Sequence, residues 1–135
     1  MKKTSFAAII FAVAMLAAAP LANATTVSEA QSMIASLKAR TETVAISGKS
    51  AETKDRPGLI GKLGEAALKV DQAKFCDAIQ KLNDYKVKVN QLIAAGRINQ
   101  DATLGTTGQE LLADADATIT AVRDLATQSG TTCPF

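Results

Sequence analysis

Apolar side chains recur at alternating spacings of three and four residues in four separate segments, and this feature limits the fold most. Such a spacing places the apolar side chains in one stripe along one face of an α-helix. The four predicted helices cover approximately residues 28–46, 56–71, 73–95 and 108–127. No segment alternates apolar and polar residues for long enough to predict a strand. The sequence therefore predicts an all-α fold, a single four-helix bundle of the up-down type.

Short sequence signals indicate where some of these helices begin and end. Ser28, followed three residues later by Gln31, has the form of a capping box, in which each residue's side chain bonds the other's backbone N–H. Thr107 and Glu110 repeat this form at the start of the fourth helix. Gly48 is expected to end the first helix, because glycine readily adopts the left-handed conformation that terminates helices.

The segment 47–56 has no apolar period and is rich in turn-forming and charged residues, so it predicts a solvated connection. At its end Asp55 precedes Arg56 and Pro57, which predicts an N-cap with proline in the first turn of the second helix. The connection between the third and fourth helices is also predicted to be polar and rich in turns.

The first 24 residues have the three parts of a secretory signal peptide of bacterial type. Lys2 and Lys3 precede an apolar stretch from Phe6 to Ala19, and a small-residue site ending at Ala24 follows. The apolar stretch is shorter than the roughly 20 residues that span a bilayer. We therefore expect cleavage after Ala24, a mature domain of residues 25–135, no membrane span after cleavage, and a location in the periplasm or outside the cell.

The chain contains two cysteines, Cys76 and Cys133. In an oxidising compartment an even number of thiols more often forms a structural disulfide than a redox or metal site. If the third and fourth helices are antiparallel neighbours, the end of the fourth lies beside Cys76, so the sequence predicts one disulfide that staples the bundle. Two free thiols or a bridge between two chains are the alternatives.

Composition excludes several classes of function. Residues 25–135 contain 13 basic and 13 acidic side chains, so no excess of positive charge supports nucleic-acid binding. Histidine and tryptophan are absent from the sequence, and the aromatic residues after the signal are Phe75, Tyr85 and Phe135. This inventory excludes histidine-dependent catalysis and predicts a protein that is not an enzyme and has no cofactor.

Glu110 and Asp114 lie one helical turn apart and in principle can share a metal ion or a proton. A solvated acidic face at the start of a helix, where the helix dipole favours negative charge, is the stronger interpretation. We therefore predict no metal site.

The third helix has two further faces besides its apolar stripe. One is charged and is expected to be a solvated edge, with the side chains Asp77, Lys81, Asp84 and Lys88. The other carries no charge, and within it Gln80, Val87 and Gln91 are the candidate partner-binding residues, because an uncharged surface costs little to desolvate. The alternatives are a face that the C-terminal tail covers or one that is simply solvated.

Three segments resemble the FIMAH domain, a small helical module of extracellular and membrane-anchored bacterial proteins. Residues 58–68 are similar to that family's Ser-Leu-x-x-Lys-Leu-x-x-Ala pattern, and residues 75–90 and 109–116 are similar to its following helices. Tyr85 stands where the family usually has phenylalanine, and the cysteine pair is not a family feature. The resemblance implies a helical module that acts at the cell surface and usually accompanies other domains.

These observations favour an exported, non-catalytic binding or adaptor module of the bacterial envelope or cell surface. The expected partner is another envelope or extracellular protein, or a surface polymer, and not nucleic acid. A periplasmic inhibitor, immunity protein or chaperone-like protein is the alternative, since small size and a disulfide are equally typical of those classes. A structural component of the envelope is a third possibility that the sequence leaves open.

Overall fold

The computed structural model describes residues 24–135. The predicted signal peptide, residues 1–24, lies outside the described residues except for Ala24. Four α-helices account for most of the described chain: α1 Val27–Thr43, α2 Arg56–Asp71, α3 Phe75–Ala94 and α4 Gly108–Gln128. Residues 24–135 contain no strand, and their one β-type feature is an isolated antiparallel bridge between Ile46 and Ile98.

The helices pack in a closed ring. Each helix contacts the next one along the chain, and α1 closes the ring against α4. The prediction of a single up-down four-helix bundle is therefore confirmed. None of the helices in the described part of the chain is both long and apolar enough to cross a membrane.

The core lies on the axis of the bundle, and each helix contributes its predicted apolar stripe. The largest fully buried side chains come from all four helices: Leu37, Leu59, Leu63, Ile79, Leu82, Tyr85 and Leu111. Val27, in the first turn of α1, lies outside this core and is 42% exposed.

Tyr85 is the one phenol in this core. Its hydroxyl lies 2.8 Å from the Thr41 hydroxyl, which donates its own proton to the Leu37 carbonyl oxygen at 2.8 Å. The tyrosine O–H is thus the donor to Thr41. Burial raises the pKa of Tyr85 to about 12, so the phenol is neutral at physiological pH.

Two conservative substitutions test this arrangement. Tyr85→Phe will lower the free energy of unfolding by about 1 kcal/mol, because the Thr41 hydroxyl keeps its bond to Leu37 and no group loses its partner. Thr41→Val will cost more, about 2 to 3 kcal/mol, because it leaves the phenol buried without an acceptor. Urea unfolding followed by circular dichroism measures both, and an equal or larger loss for Tyr85→Phe would contradict the assigned donor.

The start of α1 differs from the prediction. The capping box consists of Thr26 and Glu29: the Thr26 hydroxyl accepts from the Glu29 N–H at 3.1 Å, and the Glu29 carboxylate accepts from the Thr26 N–H at 2.7 Å. The prediction of Ser28 and Gln31 was wrong. A carboxylate at this position accepts a stronger hydrogen bond than an amide and also interacts favourably with the helix dipole.

The end of α1 also differs, since the helix stops at Thr43 and not near residue 46. The segment that follows pairs with a distant one: the Asn99 N–H donates to the Ala45 carbonyl at 2.9 Å, and the Ser47 N–H donates to the Arg97 carbonyl at 2.8 Å. These bonds satisfy the backbone in an extended conformation and replace the last turn of the predicted helix.

The connection before α2 is more ordered than predicted. Residues Ala51–Asp55 form one π-helical turn, in which the side chains of Ala51 and Asp55 are buried. The Asp55 side chain does not cap α2, because its carboxylate bonds Ser50, Lys88 and Arg97 instead. The prediction of a wholly solvated connection with an Asp55 N-cap was therefore wrong, although α2 itself has the predicted bounds.

The later helix ends agree more closely. α3 begins at Phe75, two residues after the prediction, because Ala73 adopts a left-handed conformation with φ of 55° that terminates α2. α4 begins at Gly108 with the predicted capping box: the Thr107 hydroxyl accepts from the Glu110 N–H at 3.2 Å, and the Glu110 carboxylate accepts from the Thr107 N–H at 2.7 Å.

Candidate functional site

The predicted binding face lies on the outside of α3. Gln80, Val87 and Gln91 are all exposed there, and Val87 is 56% exposed. We call these three residues the α3 strip. The C-terminal tail leaves them uncovered, so the strip is open to solvent along the helix.

Ion pairs between helices border the α3 strip on both sides. On the α2 side, the four charged residues of the predicted solvated edge each have a partner: Asp77 with Lys69 at 3.7 Å, Lys81 with Glu65 at 2.6 Å, Asp84 with Lys62 at 3.8 Å, and Lys88 with Asp55 at 3.0 Å. On the α4 side, Lys86 pairs with Asp116. The predicted edge is thus charged and partly exposed to solvent, and its members also pair with residues of α2 and of the turn before it.

Near the end of the strip closest to the C-terminus of α3, the surface is slightly concave. Val87 and Gln91 line a shallow depression together with Lys62, Asp84 and Lys88. A partner that contacts this depression meets one apolar side chain, one amide and charges that are already paired.

Asp55 forms the most buried charged cluster that the structure describes. Its carboxylate, 3% exposed, lies 3.0 Å from the Lys88 ammonium and 2.5 Å from the Arg97 guanidinium, and it accepts from the Ser50 hydroxyl at 2.9 Å. The hydrogen bond from Lys88 is the main cause that lowers the pKa of Asp55 to about 2, against the opposing effect of burial. The carboxylate is therefore ionised at neutral pH and joins the π-helical turn to α3 and to the α3–α4 loop.

The carboxylates of Glu110 and Asp114 share a contact with one arginine side chain. Arg40 of α1 contacts both, with its guanidinium 3.5 Å from the Glu110 carboxylate and in a hydrogen bond with Asp114. Among residues 24–135 no group of three or more potential ligands is placed to hold a metal ion. The pair thus joins α4 to α1, and the hydrogen bond from the Thr107 backbone is the main cause of the lowered pKa of Glu110.

The disulfide predicted from the cysteine count is present. The sulfur atoms of Cys76 and Cys133 are 2.12 Å apart, and the two Cα atoms are 5.3 Å apart. Cys76 lies in the first turn of α3, and Cys133, in the tail after α4, packs against the core. The bridge therefore holds the tail against the end of the bundle opposite the α3–α4 loop.

Comparison of the chain with models of protein families, with curated proteins and with solved structures finds no match. The resemblance to the FIMAH domain accordingly stays a prediction, and the case for a function depends on the surface of the bundle.

Proposed function

We propose that this protein is an exported, non-catalytic binding or adaptor module of the bacterial envelope or cell surface, and that the α3 strip contacts its partner. The observation that carries the proposal is the exposure of Gln80, Val87 and Gln91 between two borders of paired charges. The resemblance to the FIMAH domain is part of the same proposal, because it implies a module of that location.

The proposed compartment follows from two features of the chain. The first 24 residues have the pattern of an export signal. The disulfide between Cys76 and Cys133 is a bond that persists in oxidising compartments such as the bacterial periplasm and is rare in the cytosol. Both features favour a protein that works outside the cytoplasm.

The chemistry of the strip favours a protein partner. Amide side chains such as Gln80 and Gln91 both donate and accept hydrogen bonds, so they can bond the backbone of another protein. Val87 adds apolar area at the centre, while the bordering charges stay with their own partners when the strip is covered. Interfaces of this kind have an uncharged centre and a polar rim.

A charge at the centre of the strip tests the proposal. Val87→Asp will weaken capture of the partner by at least about tenfold, because binding then buries a carboxylate without a partner. The immobilised domain, residues 25–135, is used to capture a partner from an envelope extract of the source bacterium. The captured protein is then identified and its dissociation constant measured with each purified variant.

Leu68→Asp is the matched control. Leu68 is 54% exposed, close to the 56% of Val87, but it belongs to α2 and not to the strip. Its substitution should leave the dissociation constant within about twofold, and both variants should keep the helical content and melting temperature of the parent. Equal affinity for Val87→Asp and the parent protein would overturn the assignment of the strip.

A further inference from the structure

Two recesses lie in line along the seam between α1 and α4. One has a volume of about 440 Å³ and lies near the start of α1, where Thr25, Met33 and Ala121 line it. The other, of about 180 Å³, extends from Met33 to Arg40 and is lined on the α4 side by Ala117. Since Met33 belongs to both, the two recesses form one continuous depression, which we call the α1–α4 groove.

The centre of the groove is uncharged and open. Met33 is half-buried there, and the flexible thioether side chain of methionine adapts to apolar partners of different shape. Ser32 and Ser36 on α1 and Ala117 on α4 are exposed, and their small side chains leave the seam accessible. From residue 29 to residue 40, α1 rises about 16 Å, which is the length of three helical turns.

Acidic side chains outnumber basic ones along the groove. The residues that line it, together with the charged residues that contact this lining, are Glu29, Arg40, Glu110, Asp114 and Asp124. These four carboxylates and one guanidinium leave a formal excess of three negative charges. Arg40 lies between Glu110 and Asp114, so at that end one cation already serves two carboxylates.

The two carboxylates at the other end of the groove are without a cation. Glu29 accepts from the Thr26 N–H at 2.7 Å, and Asp124 accepts from the Thr25 hydroxyl at 3.4 Å. Within residues 24–135 neither of the two forms an ion pair. A carboxylate that is covered without a cation costs free energy, so a partner that binds here has to supply positive charge.

The walls of the groove select the conformation of the partner. Both walls are α-helices, and the N–H and C=O groups in the middle of a helix bond within that helix. An extended segment would find no backbone partners here, and its own N–H and C=O groups would be covered without hydrogen bonds. A helix satisfies its own backbone and places apolar side chains at spacings of three and four residues along such a groove.

We propose that the α1–α4 groove binds a cationic amphipathic helix of a partner protein, with apolar side chains over Met33 and lysines or arginines beside Glu29 and Asp124. The inference rests on the proposed function, a binding module, to which it adds a second surface. The groove shares no residue with the α3 strip. Val87→Asp should therefore leave binding at the groove unchanged, so either proposal can fail without the other.

Photo-crosslinking in the source bacterium identifies the occupant. A diazirine amino acid replaces Ser36 of the groove in the full chain, or Ala35 as the control, which is exposed on the same helix but lines neither recess. Position 36 should give a discrete product with a different protein, and position 35 at least about tenfold less of it. Mass spectrometry should locate the adduct in a segment that has apolar residues at helical spacing and an excess of lysine and arginine.

Fluorescence anisotropy with a synthetic peptide of that segment then measures binding to the purified domain. Ala117→Arg should weaken binding by at least about tenfold, because the long side chain fills the groove and its charge repels the peptide. Thr120→Arg is the matched control, since Thr120 is also exposed on α4 but lines neither recess. It adds the same charge and should change the dissociation constant by less than about threefold.

Reversal of one acidic charge tests the electrostatic part of the proposal. Asp124→Lys should weaken binding of the peptide by about tenfold at low salt and by less at high salt, because salt screens exposed charges. Asp71→Lys is the control. Asp71 is exposed on α2 and also accepts a side-chain hydrogen bond, from Gln31 at 2.7 Å, but lies outside the groove. Its reversal should change the dissociation constant by less than about threefold at either salt concentration.

Several outcomes would overturn the proposal. From position 36 these are the absence of a product, an equal yield from position 35, and an adduct with lipid, with a second copy of this chain or with residues 1–23 of the same chain. An adduct in an acidic segment, or in a segment without helical spacing, would have the same meaning. So would a variant, Ala117→Arg or Asp124→Lys, that keeps the helical content and the affinity of the parent.

Discussion

Replacement of both Cys76 and Cys133 by serine will lower the free energy of unfolding by about 4 kcal/mol. The bridge closes a loop with a sequence separation of 57 residues, and the entropy that it removes from the unfolded chain corresponds to about that value. Net stabilities of small domains are about 5 to 15 kcal/mol, so the variant will lose a large share of its stability. Urea unfolding followed by circular dichroism measures the loss.

The tail supplies a matched control for this change. The Arg123 guanidinium donates a hydrogen bond to the carbonyl oxygen of Phe135 at 3.4 Å. This exposed bond also joins the C-terminal tail to α4, but without a covalent link. Arg123→Ala should change the free energy of unfolding by less than about 0.5 kcal/mol. Reduction of the parent protein should reproduce the loss seen with the serine variant. A serine variant within 1 kcal/mol of the parent would show that the bridge contributes little.

The sequence predicts the bundle well because each helix has a regular apolar stripe and buries the face that carries it. Residues such as Leu63 and Leu82 are fully buried where the period places them. The local capping box at Thr107 and Glu110 was also predicted, since its two members lie three residues apart. Local patterns of this kind need no knowledge of how the helices are arranged.

The errors lie where distant segments meet. α1 ends early because Ala45 and Ser47 bond with Asn99 and Arg97, about 50 positions away in the sequence. Asp55 had the local pattern of an N-cap, but its partners are Lys88 and Arg97. Such pairings depend on how the helices are rotated and aligned relative to one another. The periodicity of a single segment does not determine that arrangement.

On the surface too, local patterns were predicted and an irregular segment was not. The α3 strip was predicted because its residues share one helical face and carry no charge. The conformation of the α3–α4 loop was not predicted, since it depends on side-chain bonds from Asn99 to other residues of that irregular segment. Gly105 was a usable signal, because glycine supplies the positive φ that certain turns require.

Asp55→Asn will lower the free energy of unfolding by about 3 kcal/mol. Removing one member of a buried ion pair typically costs about 3 to 5 kcal/mol. The lower end applies because Lys88 and Arg97 keep side-chain exposures of 29% and 31% and can turn towards water. Asp77→Asn is the control, since Asp77 is 55% exposed and its pair with Lys69 should contribute less than about 1 kcal/mol.

The loss caused by Asp55→Asn will depend on pH in a defined direction. The pKa of Asp55 is about 2 in the folded protein, below its ordinary value of 3.8, so the folded state favours the ionised carboxylate. Its contribution is complete above the ordinary pKa and disappears as the pH falls towards the folded value. The difference in unfolding free energy between parent and variant should therefore be constant near neutral pH and shrink between about pH 4 and pH 2. A difference that stays constant or grows over that interval would show that the carboxylate acts by packing and not by its charge.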